Sequence, residues 1–318
     1  MLRRCSAYLQ FSDTAHFVAW LILCGVLATF SFTHLRFIDF YGVFCRAAGR
    51  IPGQGALPGE CFYFTQSKSA NVGIRLHLSL ILPAALLACL QFVPRIRHKT
   101  AIAHRIGGYA TLILSIVGAV SVAPTIRHAF GGDVAAQAAA GVMTLLFVGA
   151  QLKAYVSIKQ LQIDRHQAWM MRSWVYAAGI ISLRVIMPIA AIIVSILGDY
   201  YMAQPCDKID FVLRDKNQVL DRYPGCTSFY SGENYKQHVA VRADIASPDV
   251  VQILTAFNIT YGMSSWVAIM IHVVGIELYL RSVAPKIGLE RKTTTNDNKS
   301  QAAVSRHDII ERSQKKEK

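Results

Sequence analysis

Six apolar runs dominate the chain, at 17–32, 76–93, 106–123, 135–150, 175–197 and 251–280. Each approaches or exceeds the roughly 20 residues that carry an α-helix across ~30 Å of hydrocarbon. Lipid offers no partner to an open backbone, so runs of this length must bond internally as helices. The expected fold class is therefore all-α: a polytopic membrane helix bundle with six transmembrane helices. Of 318 residues only 16% are charged, well below the roughly 25% usual in soluble domains.

A net charge of +14 raises the question of nucleic acid, which the distribution of that charge answers. With the amino terminus in the cytosol, the cytosolic segments hold 20 Lys and Arg against 7 acidic residues, and the opposite side holds 12 against 11. Arg184 and Glu277 lie within spans. The basicity follows the positive-inside rule and places both termini in the cytosol; it supplies no nucleic-acid surface. Arg3 and Arg4 precede the first run as they would in a signal peptide, but no small-residue cleavage site follows, so residues 1–38 read as an uncleaved first span.

The remaining organisation follows. Residues 39–74 form a Gly- and Pro-containing luminal loop, 75–197 a four-helix membrane core, 198–250 a polar luminal loop, 251–282 the last span and 283–318 a disordered cytosolic tail. Each luminal loop carries two cysteines, Cys45 with Cys61 and Cys206 with Cys226. Two intraloop disulfides on the oxidising side agree with a topology derived without them. The last four residues, Lys315, Lys316, Glu317 and Lys318, fit the dilysine pattern that returns membrane proteins to the endoplasmic reticulum. Asn258, Ile259 and Thr260 form a glycosylation sequon, but inside the last span, where it is expected to go unused.

Ionisable side chains inside spans are costly and mark function by default. Arg75 with His77 opens the second span, and His104 with Arg105 opens the third. The segment DRHQAWMMRSW, 164–174, brings His166 and Arg172 to the cytosolic edge of the fifth, where its Trp residues suit the interface. Arg184, His272 and Glu277 form a deeper set, and by helical rise His272 or Glu277 is expected to approach Arg184. The candidate site is a cytosolic-face cluster of His104, Arg105, His166 and Arg172.

The blocks HRIGGY, 104–109, and RHQAWMMRSWVYAAGIISLR, 165–184, with His77 before them, resemble the family of predicted membrane proteins catalogued as domain of unknown function 2306. The resemblance covers about 73–198 and implies a multi-pass helical fold without implying a reaction. Gly108, Trp174 and Ile81 stand where that family often has Arg, Tyr and Gly.

Three functions fit these residues. A membrane oxidoreductase would bind haem b: His104 and His166 would ligate the iron at a cytosolic site, with Arg105 near the propionates, and His77 with His128 or His34 would form a luminal site. Alternatively, a cofactor-free cyclase or isomerase would act on a prenylated or other lipid-soluble intermediate, with Glu277, Asp164 or His166 as acid and Trp169, Trp174, Tyr109 and Tyr176 as aromatic faces. Arg172 and Arg184 would complete the catalytic set. A non-enzymatic lipid-binding or assembly protein is the third. The partners in every case are the bilayer and a lipid-soluble substrate or electron donor.

Overall fold

The computed structural model describes residues 2–11, 14–45, 55–57 and 59–314. The chain divides into two units, Met1–His272 and Val273–Lys318. In chain order the elements are α1 (Leu2–Tyr8), α2 (Thr14–His34), α3 (Glu60–Gln66), α4 (Lys68–Gln91), α5 (Pro94–Lys99), α6 (Ala101–Ser121), α7 (Ala123–Ile126), α8 (Val134–Lys159) and α9 (Ile163–Leu197). Strand β1 (Tyr201–Pro205), α10 (Cys206–Leu213), α11 (Lys216–Arg222), α12 (Thr227–Ser231), β2 (His238–Arg242) and α13 (Val250–Gln314) follow.

Six helices are long and apolar enough to cross a membrane: Thr14–Ile38, Lys68–Gln91, Ala101–Ile126, Val134–Lys159, Ile163–Leu197 and Val250–Ser282. Five contain an expected run whole and Lys68–Gln91 holds the second as far as residue 91, and all six begin before the runs do, because polar caps rather than hydropathy set helix ends. Ser67 caps α4 and Asp133 caps α8 by accepting backbone N–H groups. Gly198, at φ 79°, closes α9 in the left-handed conformation. Pro83 and Pro188 lie inside α4 and α9, as neighbouring helices in a membrane allow.

The basic turn joining α4 to α6 is held from the amino terminus. Arg95 donates to the Tyr8 carbonyl at 3.0 Å and stacks 3.8 Å over its ring. Between helices, Ser115 of α6 donates to Gln151 of α8 at 2.8 Å, and Trp174 of α9 meets Phe147 of α8 edge-on in the core. Small residues permit this closeness: a Cβ on Gly107 would fall 2.3 Å from the Gln91 amide.

The segment expected as a polar luminal loop, 198–250, is a folded cap. β1 and β2 pair antiparallel, Tyr201 opposite Arg242, and Ile209, Val219 and Val241 form a small core around the Cys206–Cys226 disulfide. Both expected disulfides are present, Cys45–Cys61 and Cys206–Cys226. The tail also departs from expectation, since α13 continues to Gln314; extending an existing helix costs far less than nucleating one. The dilysine residues Lys315, Lys316, Glu317 and Lys318 lie outside the described residues.

Candidate functional site

The residues singled out at the basic face divide between structure and site. His166 Nδ1 donates to the Ala154 carbonyl at 2.9 Å and Ser173 to the Phe147 carbonyl at 3.4 Å, so this stretch seams α9 to α8. Trp169 is flanked by Lys153 at 4.5 Å and Arg172 at 4.6 Å, as an interfacial collar would be. Trp174 is not part of that collar; it is 1% exposed, in the core. Tyr109 accepts a hydrogen bond from Lys159 at 3.1 Å. The charges of His104 and His166 act on one another through space, and His104 Nδ1 is buried without a partner. Arg105 is exposed.

A carbonyl can only accept, so each imidazole bonded to one carries its hydrogen on Nδ1. That fixes His166 with a free Nε2 lone pair, and the same holds for His77, which donates to the Gly118 carbonyl at 2.8 Å and ties α4 to α6. The two imidazoles His104 and His166 stand on different helices, α6 and α9. The expected opposite-face set is dispersed. His128 stacks on Tyr63 at 4.5 Å, and His34 donates to its own helix at the Phe30 carbonyl.

The deeper set is rearranged. His272 uses both nitrogens on α9, donating from Nδ1 to the Val175 carbonyl at 2.7 Å and accepting from Ser182 at 2.8 Å. It therefore clamps two helices instead of meeting Arg184. Glu277 belongs to the second unit. The charge of Arg184 acts instead on Tyr261, Glu60 and His34. Levels along a helix axis do not register an acid that reaches Arg184 from a segment outside the spans, as Glu60 of α3 does through its charge.

That acid, Glu60, is the centre of a buried polar site at the disulfide-bearing face. Glu60 is 3% exposed, Lys208 1% and Asn258 0%. Each charge sits beside a disulfide: Glu60 precedes Cys61, and Lys208 lies two residues after Cys206. Gly59, at φ 85°, leaves room for them, since a Cβ there would fall 2.7 Å from the Lys208 side chain. Oε2 of Glu60 accepts the Phe130 N–H at 2.9 Å, and Oε1 has no partner. Lys208 donates to Asn258 at 3.1 Å and Gln204 at 3.3 Å. Asn258 Nδ2 faces Glu60 and favours its charged form without closing a hydrogen bond. Aromatic walls complete the site: Phe130 and Tyr261 stack at 4.1 Å, Arg184 lies 5.8 Å over Phe130, and Lys208 lies 5.4 Å over Tyr63.

The electrostatics follow from burial. Loss of water pushes the Glu60 carboxyl up, against the opposing pull of Lys208 and then the Phe130 N–H. It pushes the Lys208 ammonium down, partly offset by Glu60 and Asp207. Burial, then Arg127 and Lys208, lowers His128, and Tyr63 is pushed up to about 12. Such a raised carboxyl beside cationic side chains is suited to general acid–base chemistry. Sequence patterns gave no sign of it, because Glu60, Lys208 and Asn258 come from three distant segments. Asn258 is the buried sequon asparagine.

Residues 74–204 match the family of predicted membrane proteins named domain of unknown function 2306. The matched stretch holds His77, His104, His166, Phe130 and Arg184, whereas Glu60, Lys208 and Asn258 lie outside it. The chain is also similar to Ava biosynthesis cluster protein G of Aspergillus versicolor, 26% identical over 86% of this chain and 91% of that protein. No solved structure matches.

Proposed function

We propose that this protein is a membrane-embedded biosynthetic enzyme that moves protons on a lipid-soluble intermediate, in an isomerisation or cyclisation, with Glu60 as the acid–base group. The observation that carries this is the Glu60 carboxyl itself, buried, raised above its ordinary range and with one oxygen unpartnered, beside Arg184 and between aromatic walls. Similarity to a biosynthesis-cluster protein supports the pathway role. With the basic face in the cytosol, the site lies on the oxidising side, where the two disulfides beside Glu60 and Lys208 persist.

Charge selects the kind of intermediate. Arg184 and Lys208 would repel a carbocation, and Arg184 already occupies the Phe130 ring. They would stabilise an oxyanion, as preorganised donors do. Glu60 then takes a proton from carbon next to a carbonyl while Arg184 bears the developing charge on oxygen. Return of the proton at another atom completes an isomerisation, and attack of the enolate on an acceptor carbon completes a ring. The test is metabolite profiling of a deletion strain carrying wild type, Glu60→Gln or Arg184→Gln. An intermediate that accumulates with both variants, and that purified wild type converts, supports the reading; normal product from Glu60→Gln would end it.

One observation favours a second reading. The His104 and His166 imidazoles stand on different helices with their charges acting on one another, His104 Nδ1 is unpartnered, and His166 is bonded through Nδ1 to the Ala154 carbonyl. These two would hold haem b, which supplies one-electron transfer. A Soret band lost in His104→Ala and His166→Ala would favour it, and a colourless haem-replete preparation would remove it.

A further inference from the structure

Arg184 stands in the middle of α9, yet its guanidinium has no hydrogen-bond acceptor among the described residues. Every nearby group that might serve is engaged elsewhere or only acts on it through space. His272 is spent on Ser182 and the Val175 carbonyl, His34 on the Phe30 carbonyl, and Glu60 receives Phe130. Arg184 stands at mid-span with an exposed side chain beside the Phe130 ring. A guanidinium at that depth calls for an anionic partner.

The charge and donor counts of the site agree. Glu60 and Lys208 cancel whether the proton sits on the carboxylate or on the amine, and Asp207, the other acid acting on Lys208, accepts the Lys208 backbone N–H, so no carboxylate is hydrogen-bonded to Arg184 among the described residues. The Asn258 amide faces Glu60, which leaves the five guanidinium N–H groups of Arg184 as the donors without an acceptor among the described residues. A ligand that completes the site must bring acceptor oxygens and one negative charge. Around Arg184 the walls are apolar, with Leu183, Met187 and Ala268 buried and Phe130 and Tyr261 packed on them, so the rest of the ligand must be apolar.

Building on the proton-transfer reading above, we infer that the site takes an amphiphile with a single anionic oxygen group, a carboxylate or acidic enol, seated on Arg184 with its apolar body among the spans. Arg suits this task because its planar fork meets two oxygens at once. A membrane phospholipid offers related chemistry, and the experiment distinguishes the two sources.

The purified protein in detergent is titrated calorimetrically with dodecanoate, dodecanol and acetate. Dodecanoate is expected to bind saturably, at least ~10-fold more tightly than either, and ~10-fold more weakly to Arg184→Gln, in line with loss of one charge-assisted contact. Arg184→Lys, which keeps the charge, is expected to fall between. Glu60→Gln is expected to bind dodecanoate as well as wild type or better while losing turnover, so binding and catalysis fail separately. The inference is overturned if dodecanol binds as tightly as dodecanoate, a comparison needing only wild type. It is also overturned if both Arg184 variants bind normally, or if native mass spectrometry from nanodiscs containing phosphatidic acid shows that lipid retained by wild type and lost from Arg184→Gln.

Discussion

The backbone N–H of Phe130 donates to Oε2 of Glu60 at 2.9 Å, across 70 residues of chain. Phe130 holds φ 49° and ψ 48°, a left-handed conformation that costs a non-glycine residue energy. That backbone turn aims its N–H at the carboxyl, while its ring stacks on Tyr261. Phe130→Ala and Phe130→Gly both remove the ring, but only Ala still bears the strain. Phe130→Gly should therefore be more stable than Phe130→Ala by about 1 kcal/mol, measured by thermal unfolding in detergent.

Turnover should rise as pH climbs through the raised Glu60 value, because the carboxylate is the form that takes the proton. Lys208 is the largest influence pulling that value down. Lys208→Met should therefore move the ascending limb to higher pH, and Glu60→Gln should abolish it. Stability runs the opposite way: a raised carboxyl contributes stability at low pH that is lost as pH climbs through its folded value. Unfolding temperatures measured across pH should decline less for Glu60→Gln than for wild type.

Replacing Cys206 and Cys226 with Ser opens a loop closed across a separation of 20 residues. A loss of about 3 kcal/mol is expected in the chain-entropy model. Limited proteolysis should then cut within 198–250, and since Lys208 is positioned by this cap, dodecanoate affinity should fall with it.

His272 spends both nitrogens on α9. His272→Ala should cost about 1 to 3 kcal/mol by leaving the Val175 carbonyl and Ser182 unsatisfied. In double-mutant cycles it should be non-additive with Ser182→Ala and additive with Arg184→Gln. Coupling to Arg184 instead would restore the pairing expected from helical rise.

Six spans, two disulfides and the resemblance over the middle of the chain were all legible in the sequence, because each depends on local properties: apolar run length, cysteine spacing and contiguous motifs. The remainder depended on side chains meeting across long separations. Trp174 looks interfacial beside Trp169 but turns inward, and His272 is matched to Ser182 by rotation about the helix axis, which a depth estimate does not include.

Hydropathy alone determined that this chain crosses a membrane as helices, since an apolar segment in lipid has no other way to satisfy its backbone. Only the tertiary structure decided where the chemistry sits. A glutamate beside one disulfide, a lysine beside another, an arginine in mid-span and a sequon asparagine carry no shared pattern along the chain. Packing buries the glutamate, the lysine and the asparagine together within reach of the arginine's charge, and the loss of water there shifts the proton affinities of the glutamate and the lysine.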